Sequence, residues 1–342
     1  MRRWEGFLSN RILHMQTNND TPILTWLGEA GWGLMFHYID KPASSNVASL
    51  TTPEEWNRRV DSFDVPRFVR AVKETRAGYV IFTIGQNTGH FCSPNAVYDG
   101  ITGIRPSKLS WRDLIAEVAE ALLPEVRLIA YLPSFAPASD AVAVERFRLV
   151  PPWDCSASGL PPNPDGVALA DEKLSEFQRK WEAVVAEWGA RWGKRVAGWW
   201  IDGCYFSEKM YGGEEPNGDS FARALRSGNP DRILAFNTGT ATPFKRVTGE
   251  QDYTAGEVSN KFPVPNKWEP LSSEIDGMQT HILSYLGDWW GEGEPRFEAI
   301  WIKSYTRLVN RVGGAMTWDV PIGADGAIPS VFLDQLAQLS EN

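Results

Sequence analysis

Short apolar runs alternate along the chain with longer stretches in which apolar residues recur every three or four positions. That alternation builds strands separated by amphipathic helices around a parallel sheet. Eight runs read as strands: Gly33 to Ile39 (GLMFHYI), Tyr79 to Gly85 (YVIFTIG), Arg127 to Leu132 (RLIAYL), Val196 to Asp202 (VAGWWID), Arg232 to Asn237 (RILAFN), the weaker Tyr253 to Glu257, Met278 to Tyr285 (MQTHILSY) and Ala315 to Val320 (AMTWDV). Helices are predicted at Val65 to Thr75, Ser110 to Leu123, Asp171 to Trp192, Ser220 to Arg226, Pro295 to Val312 and Pro329 to Leu339. Ser110 reads as an N-cap, Asp171 opens the longest helix, and Pro124 and Gly193 supply stops. Trp181, Trp188 and Trp192, spaced by seven and four, read as a buried helical stripe.

Strands interleaved with helices place the chain in the α/β class and predict a (β/α)8 TIM barrel, with allowance for irregularity. The 342 residues suit one catalytic domain over 1–342, with residues 1–25 as an N-terminal extension and no β-sandwich after the barrel. No repeat, low-complexity tract or linker divides the chain. The long irregular stretch Pro151 to Gly166 suits the rim of a site.

The formal net charge of -9 argues against a nucleic-acid or anionic-membrane partner. No run approaches 18 apolar residues, and MRRWEGFLSN lacks the apolar stretch of a signal peptide. The expectation is a cytoplasmic protein, or a secreted one if a leader has been removed. Cys92, Cys155 and Cys204 are too scattered for a disulfide framework or a zinc cluster. Four histidines, His14 and His281 among them, do not suggest a metal site; with no phosphate-binding glycine loop, neither cofactor nor metal is expected.

The 16 Trp, 9 Tyr and 16 Phe change the picture, because aromatic faces stack on the apolar C–H faces of sugar rings. Packing is the ordinary use of each one, yet Trp56, Trp200 and Trp318 are retained as candidate stacking surfaces. In a parallel barrel the site lies where strands end at their C-termini. Those ends carry His37, Gln86, Asn87, Tyr131, Ser134, Asp202, Asn237, Glu257, Tyr285 and Asp319, a ring of carboxylates and hydroxyl-binding groups with little positive charge. Asp202 stands where a buried apolar strand opens into a glycine turn. A carboxylate so placed can attack an anomeric carbon while a second carboxyl protonates the leaving oxygen. The alternative use of Asp202 is as a cap for that turn.

Several motifs in order resemble the α-L-fucosidases of glycoside hydrolase family 29, across most of the chain. GWGLMFH (Gly31 to His37) resembles the family's first strand, which ends in a sugar-contacting His. FDVPRFVRAVKETRAGYVIFT (Phe63 to Thr83) is similar to its first helix and second strand. GWWIDG (Gly198 to Gly203) resembles the motif bearing the nucleophile, which implies that role for Asp202. DYTAGE (Asp252 to Glu257) resembles the segment ending in the acid/base, which implies that role for Glu257; Glu250, Glu269, Glu274 and Glu292 are competitors. KWE (Lys267 to Glu269) and GGAMTWDVPIGADGAIP (Gly313 to Pro329) follow in family order. Two departures bear on specificity. Where the family has paired histidines this chain reads Gly85-Gln86-Asn87-Thr88-Gly89-His90-Phe91, and Phe236-Asn237-Thr238-Gly239 replaces a stretch that often holds an Arg.

The resemblance implies a retaining exo-glycoside hydrolase cleaving terminal α-L-fucose or a closely related sugar, with an oligosaccharide or glycoside as partner. Asp202 and Glu257 are its candidate catalytic pair, and His37, Trp56, Gln86, Asn87, His90, Tyr131, Trp200, Asn237, Tyr285 and Trp318 its candidate substrate contacts. The competing readings are a carbohydrate-binding pseudoenzyme and a barrel glycosidase for another sugar.

Overall fold

The computed structural model describes residues 26–45, 49–149, 173–240, 244–265 and 271–340. In chain order the strands are β1 (Trp32–Phe36), β2 (Tyr79–Thr83), β3 (Arg127–Pro133), β4 (Val196–Asp202), β5 (Ile233–Phe236), β6 (Glu274–Ile275), β7 (Met278–Gln279), β8 (His281–Tyr285) and β9 (Ala315–Asp319). Seven of them form one curled parallel sheet in the order β5-β4-β3-β2-β1-β9-β8, and β6 with β7 makes a small antiparallel pair. The run MQTHILSY, read above as one strand, is thus split at Thr280 between two sheets.

The expected eighth strand, Tyr253 to Glu257, is not a strand. It makes two isolated bridges, Tyr253 with Gln279 of β7 and Glu257 with Leu283 of β8, and reaches β5 where the Asp252 N–H donates to the Leu234 carbonyl at 2.9 Å. A regular eight-stranded barrel is therefore replaced by a seven-stranded sheet whose edges flank this irregular segment. Gly256 lets the segment pass so close: its φ is +69°, and a Cβ there would sit 1.9 Å from the His281 carbonyl oxygen.

Alternate residues of each strand enter two different cores, as a period of two requires. Outward-facing Leu34, Phe36, Val80, Phe82, Leu128, Trp199 and Leu234 pack against the helices. Inward-facing Met35, Tyr79, Ile81, Ile129, Trp200, Ala235 and Leu283 pack with Tyr253 and Ala255 inside the curl. His281 belongs to this interior: its Nδ1 pairs with the Thr254 carbonyl at 3.0 Å and its Nε2 with Thr317 Oγ1 at 2.7 Å, while burial lowers its pKa to about 4. Trp181, Trp188 and Trp192 are buried on the helix Ser175–Trp192, as their spacing predicts.

The helix expected over Val65 to Thr75 occupies that span. That expected from Ser110 runs Leu114–Leu122 and is capped by Asp113, whose side chain accepts from the Ala116 N–H; Ser110 instead donates its hydroxyl to the Arg112 carbonyl. The remaining helices expected at 220–226, 295–312 and 329–339 occupy Gly218–Leu225, Ala299–Arg311 and Ser330–Ala337. Three further helices, Pro53–Asp61, Ala96–Thr102 and Ala141–Phe147, were not read from the sequence, although Thr52 and Glu55 form a capping box at the start of the first. Asp171, His14, Cys155, the Pro151 to Gly166 stretch, the 1–25 extension and the KWE motif with Glu269 lie outside the described residues. Among the described residues, no helix is long and apolar enough to cross a membrane.

Candidate active site

Asp202 is the last residue of β4, and its side chain shares the inward parity of Trp200. Its Oδ2 accepts the Tyr131 hydroxyl at 2.5 Å; its Oδ1 accepts the Gly203 N–H at 2.7 Å and Asn237 Nδ2 at 2.9 Å. The Gly203 amide is free to fold back because that residue sits at φ +70°. Three donors from three places in the chain fix the orientation of the carboxylate. Tyr131 is itself positioned: its ring stacks on Trp200 at 5.3 Å, and its oxygen accepts Gln86 Nε2 at 2.6 Å. Burial, reinforced by the Asp202 charge, pushes the Tyr131 phenol well above its usual range, so it remains a donor.

Glu257 reaches the same place from the irregular segment. The Leu283 N–H donates to the Gly256 carbonyl at 2.8 Å and the Val258 N–H to the Leu283 carbonyl at 2.9 Å, which pins Glu257 beside β8. Asn237 Nδ2 donates to Glu257 Oε2 as well as to Asp202, so one nitrogen joins the two carboxyl groups. Asn237 is held in turn by its backbone, which donates to Ile201 and accepts from Cys204, each at 2.7 Å. Burial and the Asp202 charge raise the Glu257 pKa to about 7, against the opposing effects of Asn237 and His37.

His37 stands across the cavity at the end of β1. Its Nδ1 pairs with Asp319 Oδ1 at 2.7 Å, and the other Asp319 oxygen accepts the Gly291 N–H. Burial disfavours the imidazolium, but Asp319, Asp202 and Glu257 outweigh it and the His37 pKa ends above the usual value. The cavity among these groups has a volume of about 250 Å³, and its wall includes His37, Gln86, Tyr131, Trp200, Asp202 and Glu257. Tyr205, Trp289 and Trp290 complete its rim and were not singled out from the sequence. A signal existed for the last two: adjacent Trp residues in the glycine-flanked stretch GDWWGEG follow a strand, outside any helical period.

Other sequence candidates lie elsewhere. Trp56 is buried in the outer core, donating its Nε1 to the Phe91 carbonyl at 3.0 Å, and Trp318 is buried against the helix Ala299–Arg311, donating to Thr306 Oγ1 at 2.9 Å. Neither lines the cavity. His90 is buried 3.5 Å from Asp40, and Asn87 does not line the cavity; its backbone carbonyl accepts the Ser139 N–H at 2.8 Å. Tyr285 supports the rim from behind, its ring 4.8 Å from that of Trp290 and under the Arg296 guanidinium. Among the competing acids, Glu250 pairs with Arg226, Glu274 lies exposed on β6, and Glu292 accepts from Ser44.

No family model and no curated protein matches this chain. Solved structures do match its fold. The endo-fucoidan hydrolase MfFcnA4 of glycoside hydrolase family 107 aligns with a TM-score of 0.64 at 16% identity, over 92% of this chain and 52% of its own, so this chain spans about half its length. The endo-fucoidan hydrolase P5AFcnA of the same family aligns at 0.61 and 17%, over 91% and 90%. The α-L-fucosidase AlfC from Lactobacillus casei, in complex with α-L-fucose, aligns at 0.61 and 15% over 92% and 96%. At these identities the likeness is one of fold: this chain is similar in architecture to glycoside hydrolases of two families.

Proposed function

We propose that this protein is a retaining glycoside hydrolase that releases a terminal α-L-fucose or a closely related sugar, with Asp202 as nucleophile and Glu257 as acid/base. The observation that carries the proposal is the shared Asn237 nitrogen. Two oxygens accepting from one donor lie no farther apart than two hydrogen bonds, about 6 Å. Retaining enzymes space their carboxyl groups at ~5–5.5 Å, whereas inverting ones need ~6.5–9.5 Å to admit a water.

The electrostatics fit a double displacement. While Asp202 is ionised its charge helps keep Glu257 protonated near neutrality, ready to give its proton to the leaving oxygen as Asp202 attacks the anomeric carbon. Esterification of Asp202 removes that charge, which makes Glu257 a stronger acid. Glu257 is then ionised and can take a proton from the water that breaks the glycosyl ester. His37 and Gln86 face the same cavity and offer hydrogen bonds to sugar hydroxyls, while Trp200, Trp289 and Trp290 offer stacking faces. The fucose-directed activities named for the structural neighbours support the choice of sugar.

The test is a panel of nitrophenyl glycosides, including α-L-fucoside, α-L-galactoside and β-D-galactoside, with the first sugar product followed by proton NMR. Release of α-L-fucose with retained configuration is expected. Inversion, or an Asp202→Asn variant retaining more than about a tenth of wild-type turnover, would overturn the reading, since loss of a covalent nucleophile costs more than that.

A further inference from the structure

A second cavity, of about 450 Å³, borders Tyr205, the residue that also lines the catalytic cavity. Its position follows from the strand order. Tyr205 lies three residues beyond Asp202 at the end of β4, Thr238 follows Asn237 at the end of β5, and Arg246 precedes the segment bearing Glu257. The second cavity therefore opens on the carboxylate side of the catalytic one. His37 and Gln86 stand at the ends of β1 and β2, away from it. A pyranose whose hydroxyls meet His37 and Gln86 turns its anomeric carbon to Asp202 and Glu257 and its leaving group to Tyr205.

The lining of this cavity departs from the rest of the molecule. Among the described residues that line it, Lys209, Lys245 and Arg246 face it with Glu208 as the one carboxylate, in a chain whose net charge is -9. Arg246 is held in place, its backbone N–H donating to Asp276 Oδ2 at 2.9 Å and its Nη2 to the Gly277 carbonyl, while its buried Nε has no hydrogen-bond partner among the described residues. The half-exposed Tyr205 ring supplies an apolar wall between the two cavities. A cationic pocket with an aromatic wall suits a sugar that carries an anionic group.

We propose that this cavity is the leaving-group subsite and that it selects an acidic sugar, bearing a carboxylate or a sulfate ester. The inference rests on the reading of Asp202 and Glu257 given above. It is tested with three disaccharides in which α-L-fucose is joined to glucose, to glucuronic acid or to glucose 6-sulfate, comparing kcat/KM of each acidic substrate with that of the neutral one. A wild-type ratio of about tenfold, a difference of about 1.4 kcal/mol, is expected for one or both acids, falling toward one in Lys245→Gln and Arg246→Gln. The two acidic arms distinguish a carboxylate subsite from a sulfate subsite. Lys245 is exposed, so its variant carries the test should Arg246→Gln fail to fold. Fucoside turnover with an acid-to-neutral ratio of one or less would overturn the subsite and leave the glycosidase reading standing. If no fucoside is turned over, that reading fails, and saturation-transfer NMR with glucuronic acid, glucose 6-sulfate and glucose decides the subsite separately. There, preference for the acids, lost in Lys245→Gln, supports the subsite, and equal binding of all three overturns it.

Discussion

Replacing Glu257 with Gln should stabilise the protein at pH 8 even as it removes the proposed acid/base. The carboxyl is held at about 7, largely by burial and then by the Asp202 charge, against 4.5 in an unperturbed chain. A pKa raised by folding contributes stability that is fully present below 4.5 and is lost as pH rises toward 7. At about 1.4 kcal/mol per pH unit, the ionised side chain costs about 3 kcal/mol above pH 7. Gln keeps the shape, carries no charge and can still accept the Asn237 hydrogen bond, so the variant avoids most of that cost. Because its amide also places a donor near Asn237 Nδ2, a gain of about 1–3 kcal/mol at pH 8 is expected. Urea unfolding of both proteins at pH 8 and pH 4 measures it: the variant should gain at pH 8, and the advantage should shrink toward zero at pH 4, where Glu257 is protonated in both folded and unfolded chains. A stability difference that is the same at both pH values would refute the reasoning, because it would show that Glu257 does not titrate anomalously in the fold.

The remaining expectations concern the same cluster and the core behind it. The profile of kcat/KM should fall on its alkaline side near pH 7, because ionised Glu257 has no proton for the leaving group; a plateau through pH 9 would contradict it. Asn237→Ala removes the hydrogen bond that lowers the Glu257 pKa, so that alkaline limb should move upward as kcat drops; a downward move would show that the bond acts otherwise. Tyr131→Phe deletes the 2.5 Å donor to Asp202 and should lower kcat/KM by about 10- to 100-fold, the worth of a hydrogen bond to a charged group, with an unchanged circular dichroism spectrum. Trp318→Ala should cost about 3–5 kcal/mol in urea unfolding, as for other buried aromatic truncations, while KM of the folded enzyme stays within about twofold.

Much of the fold was legible because a parallel sheet leaves a simple trace: apolar runs buried on both faces, separated by helical periods. The strand at Val196 to Asp202 and the helix at Val65 to Thr75 lie where the pattern put them. The Tyr253 to Glu257 run was misread because its apolar and aromatic content imitates a strand. Its backbone instead divides its hydrogen bonds among β5, β7 and β8. Composition likewise did not distinguish the tryptophans. Trp199 and Trp200 are neighbours in sequence, yet parity puts one against the outer helices and the other on the cavity wall, while Trp56 and Trp318 fill the outer core.

What the sequence determined by itself was local: where most of the strands lie, and that Asp202 stands at the point where one of them opens into a turn, because period and punctuation are properties of neighbouring residues. What only the tertiary structure decided was convergence. Tyr131, Asn237 and Glu257 come from three separate segments, and nothing in their spacing shows that one amide nitrogen joins two carboxyl groups or that burial raises one of them to about 7. The rim of Tyr205, Trp289 and Trp290 belongs to the same class, since loops acquire a common cavity only once the sheet has curled and brought its strand ends together.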